Sequence, residues 1–267
     1  MNRTAAPAYL FTETGLDAMK RFIDGTTLFA FDLDGTLAPV VADPASVIIS
    51  GPVKKGLAQL AGQAHVAVIT GRARADALKY LPFAPPGLIG NHGAEGLPGW
   101  ELRTREFTAR ARDWHRQLEG LLDMDNPTGV VIENKGPTLS LHYRHAADAH
   151  KAKRVIAEAA GRLTPVPRQV SGKYVLNLIP QGAPDKGTAL AVLMREAGCA
   201  KALFAGDDET DEDVFRLDKN IFSVLVGMRK NSRACYYLRS QQEMIRLLEE
   251  INEAVSAKKC PGNSAQI

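Results

Sequence analysis

Cysteine is scarce in this chain: 267 residues include three, Cys199, Cys235 and Cys260, far apart and with no CxxC pair. That spacing argues against a disulfide framework. With no histidine close by it also argues against zinc, so three free thiols are expected. Long apolar runs are missing too. No stretch approaches the ~18 residues of a membrane span, and "MNRTAAPAYLFTETGLDAMKRFIDG" has neither the apolar centre nor the cleavage site of a secretory leader. The expected location is cytoplasmic, with no membrane partner. Net charge is small, +3 from 33 basic and 30 acidic residues, and no basic run is long enough for a nucleic-acid patch. No GxxxxGK[ST] or GxGxxG follows a strand and no GxSxG occurs, so neither a nucleotide cradle nor a serine-hydrolase elbow is indicated.

What is there suits a sizeable core: 45% of residues are hydrophobic. Short apolar runs at Leu28 to Leu33, Val66 to Thr70, Gly87 to Gly90, Ala202 to Ala205 and Ile221 to Val226 read as strands buried on both faces. Helical patterns alternate with them, at Ser50 to Gly62, Ala73 to Leu81, Asp185 to Gly198, Thr210 to Leu217 and about Ser240 to Ala257. In the first, Ser50 is placed to cap, and Val53, Leu57 and Leu60 share a face. In the last, Met244, Leu247, Leu248 and Ile251 form a stripe, and the tail "KKCPGNSAQI" reads as frayed. This is the pattern of an α/β protein with a parallel sheet.

The middle of the chain differs. Phe107, Ala111, Trp114, Leu118 and Leu121 keep helical spacing, and "GVVIENKG" and "TLSLHYR" then read as two strands, the second alternating Leu139, Leu141 and Tyr143 against Ser140, His142 and Arg144. A helix over "ADAHKAKRVIAEAAGRL" and a strand pair in "RQV" and "YVLNLI" follow. Helix, two strands, helix, two strands is a small α/β unit inserted into the larger domain. Residues 106–180 are assigned to it, and 1–105 and 181–267 to the core.

The chemistry concentrates at strand ends. In "FDLDGT", Asp32 and Asp34 are two residues apart and project to the same side just past an apolar strand, at the edge where open α/β sheets bind ligands. Two such carboxylates suit metal binding or a division into nucleophile and acid/base, although DxDG alone is equally a turn with an Asx cap. In "LFAGDDETDEDVF", Asp207, Asp208, Glu209, Asp211, Glu212 and Asp213 crowd a second strand end. Some serve the helix start that follows, but so many acids in one loop call for a cation, and hard oxygen ligands select Mg2+. Thr70 in "VITGR" offers a hydroxyl at a strand end, and Lys186 in "GAPDKGTAL" a point charge for a phosphate. Each is, alone, also an ordinary turn or an exposed first-turn lysine.

Taken in order, "DLDGT", "TGR", the "DKG" lysine and "GDDETD" resemble the four motifs of the haloacid dehalogenase (HAD) superfamily of phosphohydrolases. The resemblance spans Leu28 to about Val226 and implies a Rossmann-like core with an inserted cap. "GNHGAE", "ENKG", "LSLHYR", "GKYVLNLIP" and "GDDETDEDVF" are further similar to the trehalose-6-phosphate phosphatases, whose cap closes over the sugar. The resemblance implies that Asp32 is the nucleophile, Asp34 the acid/base, and Thr70 and Lys186 the partners of the phosphoryl group. It implies Mg2+ on Asp32, the main-chain carbonyl of Asp34 and Asp207, supported by Asp208 and Asp211. Arg72, Asn91, His92, Glu133, Lys135, Lys173 and Asn177 are the implied substrate-binding residues, and a trehalose-6-phosphate synthase the implied pathway link. Asn177 departs from the pattern, because relatives carry a glutamate there. Alternatives within the resemblance are a sucrose-phosphate or mannosylphosphoglycerate phosphatase, a phosphomutase, or a non-catalytic regulatory domain. The intact Asp32, Asp34, Lys186 and Asp207 argue against the last.

Overall fold

The structure is a computed structural model that describes residues 6–41, 43–122, 129–217, 220–229 and 231–259. From the N-terminus run β1 (Ala8–Tyr9), α1 (Glu13–Phe22), β2 (Thr27–Phe31), α2 (Gly51–Ala61), β3 (His65–Ile69), the short α3 (Arg74–Ala77) and β4 (Gly87–Ile89). Next come α4 (Glu101–Leu121), β5 (Val131–Asn134), β6 (Leu139–His142), α5 (Ala149–Gly161), β7 (Arg168–Gly172) and β8 (Val175–Ile179). The chain then continues through α6 (Lys186–Glu196), β9 (Lys201–Gly206), α7 (Glu212–Phe215), β10 (Ile221–Val226), β11 (Tyr236–Leu238) and α8 (Met244–Lys259).

Seven strands form one parallel sheet in the order β1-β11-β10-β9-β2-β3-β4, with β9 and β2 well inside it. The continuous apolar runs of the inner strands are explained by burial on both faces. Phe29 and Phe31 pack with Leu57, Leu60, Leu247 and Leu248 on one side, while Leu28 and Ala30 pack with Leu190, Leu193 and Phe215 on the other. Helices α2 and α8 use the stripes expected of them, and Met244, Leu247, Leu248 and Ile251 are all essentially buried.

Three local expectations need correction. Ser50 occupies the N-cap position of α2, but its side chain makes no capping bond, and Pro in the first turn removes one of the donors a cap would serve. The helix expected over Ala73 to Leu81 is the short α3, and that over Thr210 to Leu217 is a 3-10 turn at Glu209–Asp211 leading into the short α7. In the latter, Asp208 and Asp211 exchange side-chain and backbone bonds, which tightens the turn. Cys199 and Cys235 are not disulfide-bonded, whereas Cys260 and the rest of the tail after Lys259 lie outside the described residues. Among the described residues no helix is long and apolar enough to cross a membrane.

The second sheet is antiparallel, in the order β5-β6-β8-β7. Leu139, Leu141, Leu176 and Leu178 turn one face onto α4 and α5, where they meet Trp114, Leu118, Ile156 and Ala160 in an apolar core of their own. The other face, which faces away from those helices, carries Glu133, Ser140, His142 and Asn177 interspersed with Val131, Val170 and Val175, so the alternation in "TLSLHYR" holds on β6. The unit does not start at a loop: residue 105 lies inside α4, which begins at Glu101. Trp114 is fully buried, and its indole N–H donates to the Pro165 carbonyl at 2.7 Å. Trp114→Ala is expected to destabilise the protein by ~3–5 kcal/mol through the cavity it opens. Trp114→Phe, which chiefly loses the donor, should cost about 1–3 kcal/mol. Urea unfolding followed by circular dichroism measures both.

Candidate active site

Strand register assembles the site. Phe31 of β2 lies opposite Ala205 of β9 on one side and Val68 of β3 on the other. Asp32, Asp207 and Thr70 therefore leave three neighbouring strands at the same carboxyl edge, and Asp32 is pinned there by its N–H bond to the Ala205 carbonyl, 2.9 Å. Lys186 arrives as the first residue of α6, whose N-terminus is capped by Asp185 accepting from the Thr188 N–H at 2.7 Å.

The Lys186 ammonium is buried and donates to Asp32 Oδ1 and Asp211 Oδ1, 2.8 Å each. Asp32, Asp207 and Asp211 each offer a carboxylate oxygen within 4.8 Å of the others. Burial pushes the Asp32 carboxyl well above the usual range; Lys186 opposes this, while Asp211 and Asp207 add to it. Burial, then the charge of Asp211, pushes Asp207 up to about 7. Burial also works against the Lys186 cation, yet Asp211 and Asp32 more than offset it and hold its pKa above the ordinary lysine value.

The packing around these acids is close. Gly35 has φ +91°, and a Cβ there would stand 2.0 Å from Asp207 Oδ2, so the turn after Asp34 admits no side chain. The Thr36 hydroxyl donates to Asp207 Oδ1 at 3.3 Å. Thr36 was not among the expected site residues, although it ends the "DLDGT" motif. Asp211 is engaged at both oxygens, its Oδ2 accepting the Asp208 N–H at 2.8 Å. Asp208 itself is exposed and caps Glu209, 2.7 Å, and Glu212 accepts from Arg229 and from the Arg233 N–H at 2.6 and 2.9 Å. Those two acids are thus bound into the loops rather than turned to the carboxylate trio.

Asp34 points elsewhere. Arg72 donates to both its oxygens at 2.7 and 2.8 Å and to Asp76 at 2.7 Å, and its guanidinium lies over the Tyr80 ring at 4.7 Å. The expected substrate contact is therefore an arginine clamped to the expected acid/base. Thr70 is buried and accepts the Arg72 N–H at 3.2 Å, which leaves its hydroxyl proton without an acceptor among the described residues.

Asn91 and His92 both have positive φ, 52° and 58°, and lie between the two sheets. Asn91 is fully buried: its amide donates to Glu95 at 2.9 Å and to the Lys135 carbonyl at 3.1 Å, and it accepts from Thr138 at 2.6 Å. It ties the β5–β6 turn to the core rather than presenting an open donor. Glu95 and Thr138, its partners, were not expected from the sequence. The His92 ring covers Gly71, where a Cβ would come within 2.4 Å of it. Burial, reinforced by Lys186, Lys135 and Arg168, drives its pKa well below the usual value, so the ring is neutral.

On the polar face of the second sheet, Glu133, Ser140, Asn177 and Val170 form one cross-strand row. Lys135 reaches the Gly71 carbonyl at 3.4 Å, and burial pulls its pKa down. Asn177 accepts from Ser140 at 2.6 Å and donates to the Val170 carbonyl at 3.3 Å, so its amide is engaged within the sheet. Lys173 is exposed at the β7–β8 turn, three residues beyond Val170 or roughly 10 Å along the strand, and is not gathered with Glu133 and Lys135. A cavity of about 740 Å3, lined by Asp24, Thr27, His65, Gly87 and Lys258, lies where β2, β3 and β4 begin, at the opposite edge from the carboxylates.

The trehalose-phosphatase family model matches residues 30–242, a span that takes in the second sheet, the first sheet apart from β1 and the start of β2, and every acid of the carboxylate edge. The trehalose-6-phosphate phosphatase of Escherichia coli (strain K12) is 33% identical over 239 residues, covering 86% of this chain and 88% of that protein. Among solved structures, the C-terminal domain of Candida albicans trehalose-6-phosphate phosphatase superposes with a TM-score of 0.68 at 22% identity, covering 94% of this chain and 99% of that one. A haloacid dehalogenase-like hydrolase from Bacteroides thetaiotaomicron gives 0.57 at 19%, covering 86% and 98%. With the fold HAD-like and the family model extending across both the acidic edge and the second sheet, the chain belongs to the trehalose-phosphatase family of phosphoric monoester hydrolases.

Proposed function

We propose that the protein hydrolyses trehalose 6-phosphate to trehalose and phosphate, with Mg2+ and through an aspartyl-phosphate on Asp32, in the cytoplasm and on substrate supplied by a trehalose-6-phosphate synthase. The observation that carries this reading is the buried Asp32–Lys186–Asp211 array beside Asp207 at the sheet edge. Three carboxylates against one ammonium leave negative charge uncompensated in a buried pocket, and the donor set is all oxygen, which fits a hard divalent cation. Asp32 and Asp207 would hold the ion, with the main-chain carbonyl of Asp34. Each Asp211 oxygen already accepts one hydrogen bond, so its chief part is to hold Lys186 and the Asp208 N–H. When bound, the ion supplies positive charge to the phosphoryl oxygens.

An Asp32 oxygen attacks phosphorus, and the bond to the sugar oxygen breaks as the new one forms. The departing oxygen takes a proton from Asp34. A water then attacks the same phosphorus, gives its proton to Asp34 and releases Asp32. Both Asp34 oxygens accept from Arg72, so a proton carried by Asp34 has to sit on a remaining lone pair or displace one of those bonds. Lys186 retains one N–H after serving Asp32 and Asp211, and Thr70 its hydroxyl proton; these are the donors this chain offers the phosphoryl group.

Phosphate release from a panel of sugar phosphates with Mg2+ tests the substrate, and the reading fails if trehalose 6-phosphate is not among the best. Asp32→Asn should lower kcat by several orders of magnitude while the protein remains folded. A further outcome concerns stability. With a folded pKa of about 7 against 3.8 unfolded, Asp207 binds more protons in the folded state between those values, so its contribution to stability falls as pH rises through that window. A bound divalent ion reverses this penalty. Mg2+ should therefore raise the melting temperature more at pH 8 than at pH 5.5, and an equal shift at both would count against the assigned ligands.

A further inference from the structure

His142 stands out on the polar face of the second sheet. It is two residues from Ser140 on β6, diagonal to Glu133 on β5, and its Nε2 lies 2.8 Å from Glu133 Oε2. Lys135 Nζ is 3.7 Å from the same oxygen. An ionised carboxylate only accepts, so Nε2 must carry the proton. Neither side chain is buried: Glu133 is 48% exposed and His142 34%. An exposed pair of this kind adds little to folding stability, so packing does not explain it.

Its surroundings point to a ligand. The opposite face of the sheet is filled by α4 and α5, and this face looks toward the catalytic edge: Lys135 touches Gly71, Asp76 acts on the charge of Glu133, and Arg72, Asp34 and Asp76 act on that of Lys135. Within the row, Asn177 is occupied by Ser140 and Val170, which leaves Glu133 as its acid. Glu133 Oε1 has no hydrogen-bond partner among the described residues.

We infer that His142 is a positioning residue for substrate recognition: it fixes the Glu133 carboxylate through Oε2 so that Oε1 is held ready to accept from a sugar hydroxyl. This rests on the reading that the substrate is a sugar phosphate. A carboxylate already immobilised loses less rotational freedom when the sugar arrives, so the benefit is seen in binding. The hydrogen bond from His142, more than any other influence, also holds Glu133 below the usual carboxylate range, which keeps it an acceptor.

The test compares wild type, His142→Ala, His142→Gln, Glu133→Gln and the Ala/Gln double variant on two substrates. One is whichever sugar phosphate the panel ranks best, the other p-nitrophenyl phosphate, which has no sugar to read. The expected result for His142→Ala is a roughly tenfold fall in the ratio of kcat/KM on sugar phosphate to that on aryl phosphate, most of it in KM. His142→Gln, which returns an N–H donor, should recover most of the ratio. In the Glu133→Gln background His142→Ala should add less than twofold. The inference is overturned if His142→Ala lowers both substrates equally, if Gln does not rescue, or if the full loss persists without the Glu133 carboxylate. Because the panel separately decides which sugar phosphate is used, failure of the trehalose assignment and failure of the His142 role give different results.

Discussion

The buried ammonium of Lys186 is the contact on which the catalytic edge depends. Asp32 and Asp211 lie in a region too dry for isolated carboxylates, and their proximity is tolerable because one cation bridges them. Deleting one partner of such a pair typically costs ~3–5 kcal/mol, so the array is as much a constraint on folding as on chemistry. Its effects spread outward. Asp211, fixed by Lys186, receives the Asp208 N–H and shapes the turn after β9; Asp185 caps the helix that presents the lysine. A strand end, a turn and a helix start are thereby locked to one another through a single nitrogen.

Around that centre the polar groups divide by sheet. The parallel sheet gathers the acids, Thr70 and Lys186, while the antiparallel sheet brings Glu133, Lys135 and His142. Each sheet closes an apolar core of its own. Arg72 stands between the two groups, held by Asp34 and Asp76. In this arrangement it holds both oxygens of the proposed acid/base.

Much of this was legible in the sequence because it depends on period and position. Buried strands gave unbroken apolar runs, the second sheet gave alternation, and the strand ends placed Asp32, Thr70 and Asp207 together without any knowledge of register. What escaped notice has a common physical origin. β1 and β11 span two and three residues, too few for any periodicity to emerge, and they are held by parallel pairing and by contacts such as Tyr9 with Tyr237. Asn91 reads as a substrate contact by resemblance, and nothing in the sequence reveals that Thr138, 47 positions away, bonds it. Lys173 reads as part of the sugar-facing set by resemblance, and the structure puts it, exposed, at the β7–β8 turn. The inserted unit is assigned from residue 106, a position that falls inside the continuous helix α4.

The tether made by Asn91 has a geometric corollary. Lys135 belongs by sequence to the second sheet, yet its carbonyl is held by Asn91 and its ammonium by Gly71, both residues of the parallel-sheet domain. The position of this lysine relative to Asp32, the proposed nucleophile, is therefore tied to the parallel-sheet domain by these two bonds. Under the proposed function such a tie would act as a ruler between the phosphate of a substrate and its hydroxyls.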